Sequence, residues 1–229
     1  MKDKVIIVTG AFGALGRAVA ARLEATGARL ALLDAARPAS VPEGDAAHLW
    51  LAGVDLADAV ATESAVQQVL AHFGRLDGLV NLAGGFRWET VADGSPATWD
   101  LLYTLNVKTA LHACRAALPA LLRAGGGRIV NVGAGAAGRA GLGMGAYAAS
   151  KAGVQRLTEA LAEECKDAGV TVNVILPSII DTPANRHDMP DADATRWVSP
   201  ADLAEVVAFL LSNASRAITG AAIAVNGRV

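Results

Sequence analysis

Short apolar, β-branched runs alternate with longer helical patterns along nearly all of this chain, and that alternation leaves few folds open to it. The strand-like runs are 5–9, 29–34, 48–54, 79–82, 128–132, 170–176 and 221–225. Helical periodicity marks 14–26, 59–73, 98–123, 147–168 and 200–212, with Gly27, Gly74 and Gly169 as stops and Ser199 as an N-cap. Pro119 predicts a bend in the 98–123 helix. Strands that alternate with helices run parallel, and right-handed crossovers put helices on both faces. The expectation is a single α/β domain over residues 1–229, a doubly wound parallel sheet of about seven strands. Two stretches break the pattern. Residues 133–145 are rich in Gly and Ala, while 179–198 carry Pro183, Pro190 and several Asp, as a substrate-side lid loop would.

A core for such a sheet is available, since 53% of the 229 residues are hydrophobic and only 18% are charged. The net charge of −2 gives no basic footprint for nucleic acid or an anionic membrane. No apolar run is long enough to span a bilayer, and a strand beginning at Val5 leaves no room for a signal peptide. Cys114 and Cys165 lie in helical patterns and read as reduced core thiols of a cytoplasmic protein. His48, His72, His112 and His187 show no metal-ligand spacing, so no metal is expected.

The first strand runs into Thr9-Gly10-Ala11-Phe12-Gly13-Ala14-Leu15-Gly16 and then directly into a helix. Glycines let such a turn approach a pyrophosphate, and the helix amino terminus offers unpaired N–H groups to it. Asp34 ends the second strand, where an acid would bond the adenosine ribose hydroxyls and repel a 2′-phosphate. NAD is therefore expected, with NADP open because Arg17 and Arg37 lie near enough in sequence to pair with such a phosphate.

Tyr147 and Lys151 stand four apart in a helical segment and share one face. An ammonium beside a phenol lowers the phenol's pKa, which suits a general acid or base. The pair follows the Gly-rich stretch after the fifth strand, at the end of the sheet where ligands bind.

With these residues in view, the whole chain resembles the short-chain dehydrogenase/reductase family, whose members carry a Rossmann fold. Asn81-Leu82-Ala83-Gly84 is similar to that family's Asn-Asn-Ala-Gly motif, and Asp55-Leu56 to its adenine-contacting pair. Asn106 falls on the helix asparagine that orders a water beside the lysine, and Tyr147 and Lys151 on the catalytic pair. Pro177 and Thr182 resemble the segment that holds the nicotinamide, with Ser178 in place of Gly. Ile218-Thr219-Gly220 resembles the motif before the last strand. The resemblance implies Asn106, Tyr147 and Lys151 as catalytic residues. It implies cofactor contacts from Gly10, Phe12, Gly13, Ala14, Leu15, Gly16, Asp34, Asp55, Leu56, Ala83, Gly84, Tyr147, Lys151, Pro177, Ile179, Ile180 and Thr182. It also implies a homodimer or homotetramer assembled through the two long helices.

Three positions depart from the family. Ala134 stands where it carries a catalytic serine, Gly13-Ala14 shift the glycine spacing, and Leu82 replaces an asparagine. Dihydropteridine reductases share the Gly-x-x-Gly-Ala-Leu-Gly turn and the alanine. The likeness to them continues through Leu176-Pro177, Asp181-Thr182-Pro183, Asn185-Arg186, Met189-Pro190, Ala192-Asp193 and Trp197, although they lack the helix asparagine. The implied substrate is a small molecule with an activated quinonoid or C=N acceptor, which needs one proton from Tyr147. Two other readings remain. One is an ordinary alcohol dehydrogenase or ketoreductase, of the 3-oxoacyl or sugar type, with Ser178 or a lid residue replacing the serine. The other is a dinucleotide-binding regulator without turnover. Ala134, Phe86, Trp88 and Trp197 are the expected substrate pocket, and Trp99 is expected in the core.

Overall fold

The computed structural model describes residues 1–38 and 47–229. Among them, seven strands form one sheet: β1 (Val5–Thr9), β2 (Arg29–Asp34), β3 (His48–Ala52), β4 (Gly78–Asn81), β5 (Gly127–Val132), β6 (Val170–Pro177) and β7 (Ala222–Val225). Their order is β3-β2-β1-β4-β5-β6-β7, and every neighbouring pair is parallel. The winding reverses between β1 and β4, which opens a crevice at the carboxyl ends of those strands. Among the described residues seven α-helices accompany the sheet: α1 (Ala14–Glu24), α2 (Ala59–Phe73), α3 (Pro96–Tyr103), α4 (Thr109–Arg123), α5 (Gly145–Cys165), α6 (Pro183–Asp188) and α7 (Pro200–Leu211). The fold is the expected single α/β domain.

All of β1 is buried, and the strand period splits it between two cores. Val5 and Ile7 pack with residues of α2, α4 and α5, such as Val69, Leu121 and Leu161. Ile6 and Val8 pack with residues of α1 and α7, such as Val19, Leu23, Leu203 and Val207. Leu79 of β4 is fully buried, so Leu79→Ala costs about 2–5 kcal/mol. Side-chain caps start the helices where the chain supplies them. Asp58 accepts from Val60 and Ala61, Ser95 from Ala97, and Ser199 from Asp202 as expected.

The expected 98–123 helix is present, helical without interruption from Pro96 to Arg123. A π-helical turn, Thr104–Lys108, joins α3 to α4 within it and carries Asn106. Pro119 does not break α4. Pro119 and Arg115, whose carbonyl loses its helical partner, both lie on the exposed face, where the carbonyl is open to solvent. The 179–198 segment is not irregular throughout, since it holds α6 and a 3₁₀ turn at Ala194–Arg196. Trp99 is not in the core. Its amphipathic helix turns it outward, 43% exposed, with one ring edge over Gly145. Cys114 and Cys165 are free and buried, and burial pushes the Cys114 thiol up to about 12.

Candidate active site

The glycine turn sits at the switch point and packs against the turn after β4. Gly10 has φ +62°, and a Cβ there would lie 2.9 Å from the Ala83 nitrogen. A Cβ at Gly16 would lie 2.2 Å from the Gly10 carbonyl oxygen. Gly13 is different, because its nearest neighbour would be 3.5 Å away, an ordinary contact. The Thr9 hydroxyl receives the Leu82 and Ala83 amides at 3.1 and 3.2 Å, which ties the two turns together. Sequence reasoning missed this role, since threonine before the first glycine reads simply as strand.

Asp34 reaches back to the same turn. Its Oδ2 accepts the Phe12 amide at 2.8 Å and its Oδ1 the Ala36 amide at 2.9 Å. Arg17 donates to the Phe12 carbonyl, and the Phe12 ring stacks on Trp50 at 5.7 Å. The Arg37 guanidinium lies over Gly53. Asp55 turns its carboxylate to the Ala57 amide, and the buried Leu56 offers its carbonyl to His112 Nδ1 at 2.9 Å. A cavity of about 420 Å³ lies between the glycine turn and α6, lined by Gly13, Ala14, Leu15, Leu82, Thr182 and Pro183. Its size suits a cofactor-sized ligand. The close approach that Gly10 and Gly16 enforce, together with this cavity, fits a dinucleotide pyrophosphate on the amino end of α1.

The second group of residues comes from α5, the π-turn and the loop after β4. Lys151 is 7% exposed, and its Nζ donates to the Val132 carbonyl at 2.9 Å. The same Nζ lies 5.9 Å from the centre of the Tyr147 ring. Asn106 grips the Gly85 peptide at both ends, accepting its amide at 2.9 Å and donating to its carbonyl at 3.1 Å. It also donates to Ser150 Oγ at 2.9 Å, and Ser150 in turn donates to the Tyr147 carbonyl at 2.7 Å. A Cβ at Gly84 would lie 2.5 Å from Asn106 Oδ1 and 3.4 Å from Lys151 Nζ, so only glycine lets the loop pass between them. Ser150 was missed in the sequence, where it reads as a filler between Tyr147 and Lys151.

Burial overrides the expected pairing of charges. It pushes Tyr147 up to about 12 and pulls Lys151 down to about 8. The expectation of a phenol lowered by the ammonium is corrected, because desolvation is the dominant influence on both groups.

On the substrate side, the Phe86 ring stands edge-on to Tyr147, with centres 4.9 Å apart and planes at 84°. Trp88 covers Gly143, whose φ is +71°, and the Glu89 amide donates to the Gly143 carbonyl at 2.8 Å. Phe86 and Trp88 remain 50% and 59% exposed. Ala134 is buried and extended at the end of β5. The suggestion that Ser178 replaces the missing serine is corrected, since its hydroxyl turns away and donates to the Asn226 carbonyl at 2.7 Å. Trp197 is buried, and its backbone passes close against Gly227. Pro177 ends β6, and Thr182 caps α6 by accepting the Asn185 amide at 3.2 Å. Among the described residues no cluster of His, Cys, Asp or Glu is placed to hold a metal, and no helix is long and apolar enough to cross a membrane.

Chemistry of this kind, on a sheet wound in this way, is that of an NAD(P)-dependent oxidoreductase. The family model described as short chain dehydrogenase matches residues 4–193, and the chain belongs to the short-chain dehydrogenase/reductase family. It is 36% identical over 242 residues to D-threitol dehydrogenase of Mycolicibacterium smegmatis, covering 99% of this chain and 93% of that protein. A short-chain type dehydrogenase/reductase from Mycobacterium ulcerans superposes with a TM-score of 0.91 at 28% identity, covering 99% of this chain and 90% of that one. The 3-ketoacyl-(acyl-carrier-protein) reductase from Brucella melitensis, solved with NADH, gives 0.87 at 30% identity, covering 99% and 98%.

Proposed function

We propose that this chain moves hydride between NAD(H) and a small, flat, already activated acceptor, with Tyr147 as the proton donor. The quinonoid or C=N group of a dihydropteridine-type substrate is the chemistry in mind. Ala134 carries this reading. A buried methyl stands where the family keeps a hydroxyl, and the Ser178 hydroxyl is spent on Asn226. A ketone oxygen gathers charge as hydride arrives and needs a second donor, worth roughly 3–4 kcal/mol by analogy with oxyanion holes. An activated acceptor takes one hydride and one proton and needs only the first.

The cofactor, when bound, supplies the hydride. Tyr147 stays protonated through the physiological range, held there by burial, so it is ready as an acid. Lys151 fixes the floor beneath it through Val132, and Asn106 fixes the wall through Gly85 and Ser150. Phe86 stands exposed beside Tyr147, and the exposed Trp88 ring lies over Gly143, aromatic surface that suits a planar ring. The pyrophosphate is assigned to Gly10, Phe12, Gly13, Ala14, Leu15 and Gly16, and the ribose to Asp34. The adenine falls to Asp55, Leu56, Ala83 and Gly84, and the nicotinamide to Pro177, Ile179, Ile180 and Thr182. The Asp34 carboxylate favours NAD, with NADP the weaker cofactor. The protein is proposed to work in the cytoplasm as a homodimer or homotetramer joined through α4 and α5.

The relatives favour a second reading, since D-threitol dehydrogenase and 3-ketoacyl reductase are named for alcohol–ketone chemistry. The test is turnover with NADH, then NADPH, against quinonoid dihydropterin and a panel of ketones and alcohols. Good ketone turnover without pterin turnover would sink the first reading. A Tyr147→Phe enzyme with every activity intact would sink both.

A further inference from the structure

We infer that Ser178 and Arg228 are positioning residues that hold both feet of the 179–198 segment over the cofactor cleft. They act through the short stretch that follows β7. The inference rests on the proposed reading of 179–198 as a lid on the nicotinamide side.

The first foot is Ser178, directly after β6. Its amide donates to the Val225 carbonyl at 3.3 Å and its hydroxyl to the Asn226 carbonyl at 2.7 Å. The second foot is Thr195–Trp197. Arg196 sends Nε and Nη2 to the Arg228 carbonyl at 3.1 and 2.7 Å. Arg228 answers with its amide to the Arg196 carbonyl at 2.8 Å and its Nη2 to the Thr195 carbonyl at 2.7 Å. Gly227 makes this approach possible. Its φ is +60°, and a Cβ there would lie 2.8 Å from the Arg196 carbonyl oxygen.

The two feet are also tied to each other. Val198 donates to the Ile179 carbonyl at 3.0 Å, and Asp181 to the Val198 carbonyl at 2.8 Å. Buried Trp197 closes the joint. Between the feet, Thr182, Pro183 and Ala184 face the glycine turn across the cleft, while His187, Asp188 and Asp191 are exposed. The segment therefore has fixed ends and a solvent-facing middle. A glycine at 178, as the family carries, has no hydroxyl for Asn226. The serine gives this chain its own tie between the cofactor wall and the stretch beyond β7.

The test uses the full chain. Ser178→Ala and Arg228→Ala each remove bonds from one foot, and Ser178→Thr keeps the hydroxyl. Each variant is first shown to be folded by circular dichroism. The KM for NADH is expected to rise roughly threefold to tenfold in each alanine variant, the effect of about one hydrogen bond. The kcat should stay within about twofold, and Ser178→Thr should restore the KM. Trypsin without cofactor should cut at Arg186 faster in both variants. The double variant should fall short of the product of the singles, because both act on one stretch of chain. An unchanged KM together with an unchanged cleavage rate overturns the inference. So does a fall in kcat and melting temperature with KM unmoved, which would mark a merely structural role. If wild-type protein fails to bind NADH in a fluorescence titration, the functional reading falls instead, while the trypsin comparison still decides whether the feet are held.

Discussion

Lys151 Nζ donates to the Val132 carbonyl at 2.9 Å from a residue only 7% exposed, so desolvation works against its charge. Burial therefore pulls its pKa from 10.5 to about 8. Between those values the unfolded chain holds the extra proton, so stability rises as pH climbs through that window. Thermal melts of the apoprotein should show this slope, and Lys151→Met should lack it. The scan stops short of 10, where Tyr147 begins to titrate in the unfolded chain and reverses the sign. Parallel curves for the two proteins would mean that Lys151 is not held as a buried charge.

Asp34 has two jobs that a pair of variants separates. Its oxygens hold the Phe12 and Ala36 amides, and its charge opposes a 2′-phosphate. Asp34→Asn keeps one acceptor oxygen and removes the charge. The preference for NADH over NADPH should fall on the order of tenfold, about 1.4 kcal/mol, with little change in melting temperature. Asp34→Ala should lose the same preference and also weaken NADH binding. A preference that survives Asp34→Asn would place the discrimination elsewhere.

The glycines of the turn are unequal, and substitution should say so. Gly16→Ala forces a methyl to within 2.2 Å of the Gly10 carbonyl oxygen, so the turn must move. A loss of about 1–3 kcal/mol in stability is expected, together with loss of NADH binding. Gly13→Ala meets nothing closer than 3.5 Å and should melt as the wild type does. If it still binds NADH poorly, the pyrophosphate itself needs the space. Equal melting temperatures for the two variants would contradict the geometry.

Much of this was legible in the chain. Strand periodicity and stop glycines located all seven strands, because parallel strands buried on both faces leave continuous apolar runs. The Gly10 and Gly16 constraints were readable from the strand-turn-helix context, whereas the freedom of Gly13 was not, since it depends on the distance to Gly10. The π-turn at Asn106 has no local signature, and Pro119 lies inside α4 without ending it. Trp99 misled because Trp99, Leu101 and Tyr103 give α3 the composition of a core helix, although only Leu102 of it is buried. The pKa directions at Tyr147 and Lys151 turned on depth of burial, which sequence spacing does not carry. Ser178 pointed toward the cleft by sequence and away from it in space.

Exposed side chains of α3 bear on assembly. Trp99, Leu101 and Tyr103 are 43%, 42% and 50% exposed, and Trp99 and Tyr103, four apart on one face, lie against Gly145 and Gly153 of α5. Gel filtration with light scattering at micromolar concentration should give a dimer or tetramer. Tyr103→Arg should shift it toward monomer. A monomeric wild type would remove the assembly proposal and leave these exposed side chains unexplained.

Ala134 offers the most direct test of substrate class. It lies buried and extended beyond β5, so a serine fits its backbone without strain and adds one oxygen. If a substrate oxygen sits beside it, Ala134→Ser supplies the missing donor. Ketone reduction should then rise, by about 10²–10³-fold if the full effect of an oxyanion donor is realised. Turnover of an activated C=N or quinonoid acceptor should change little, because Tyr147 already provides its single proton. The informative quantity is the ratio of kcat/KM for the two acceptor classes in each enzyme. A ratio that does not move toward ketones would mean that no substrate oxygen occupies this position, and that the chain's chemistry never relied on a second grip.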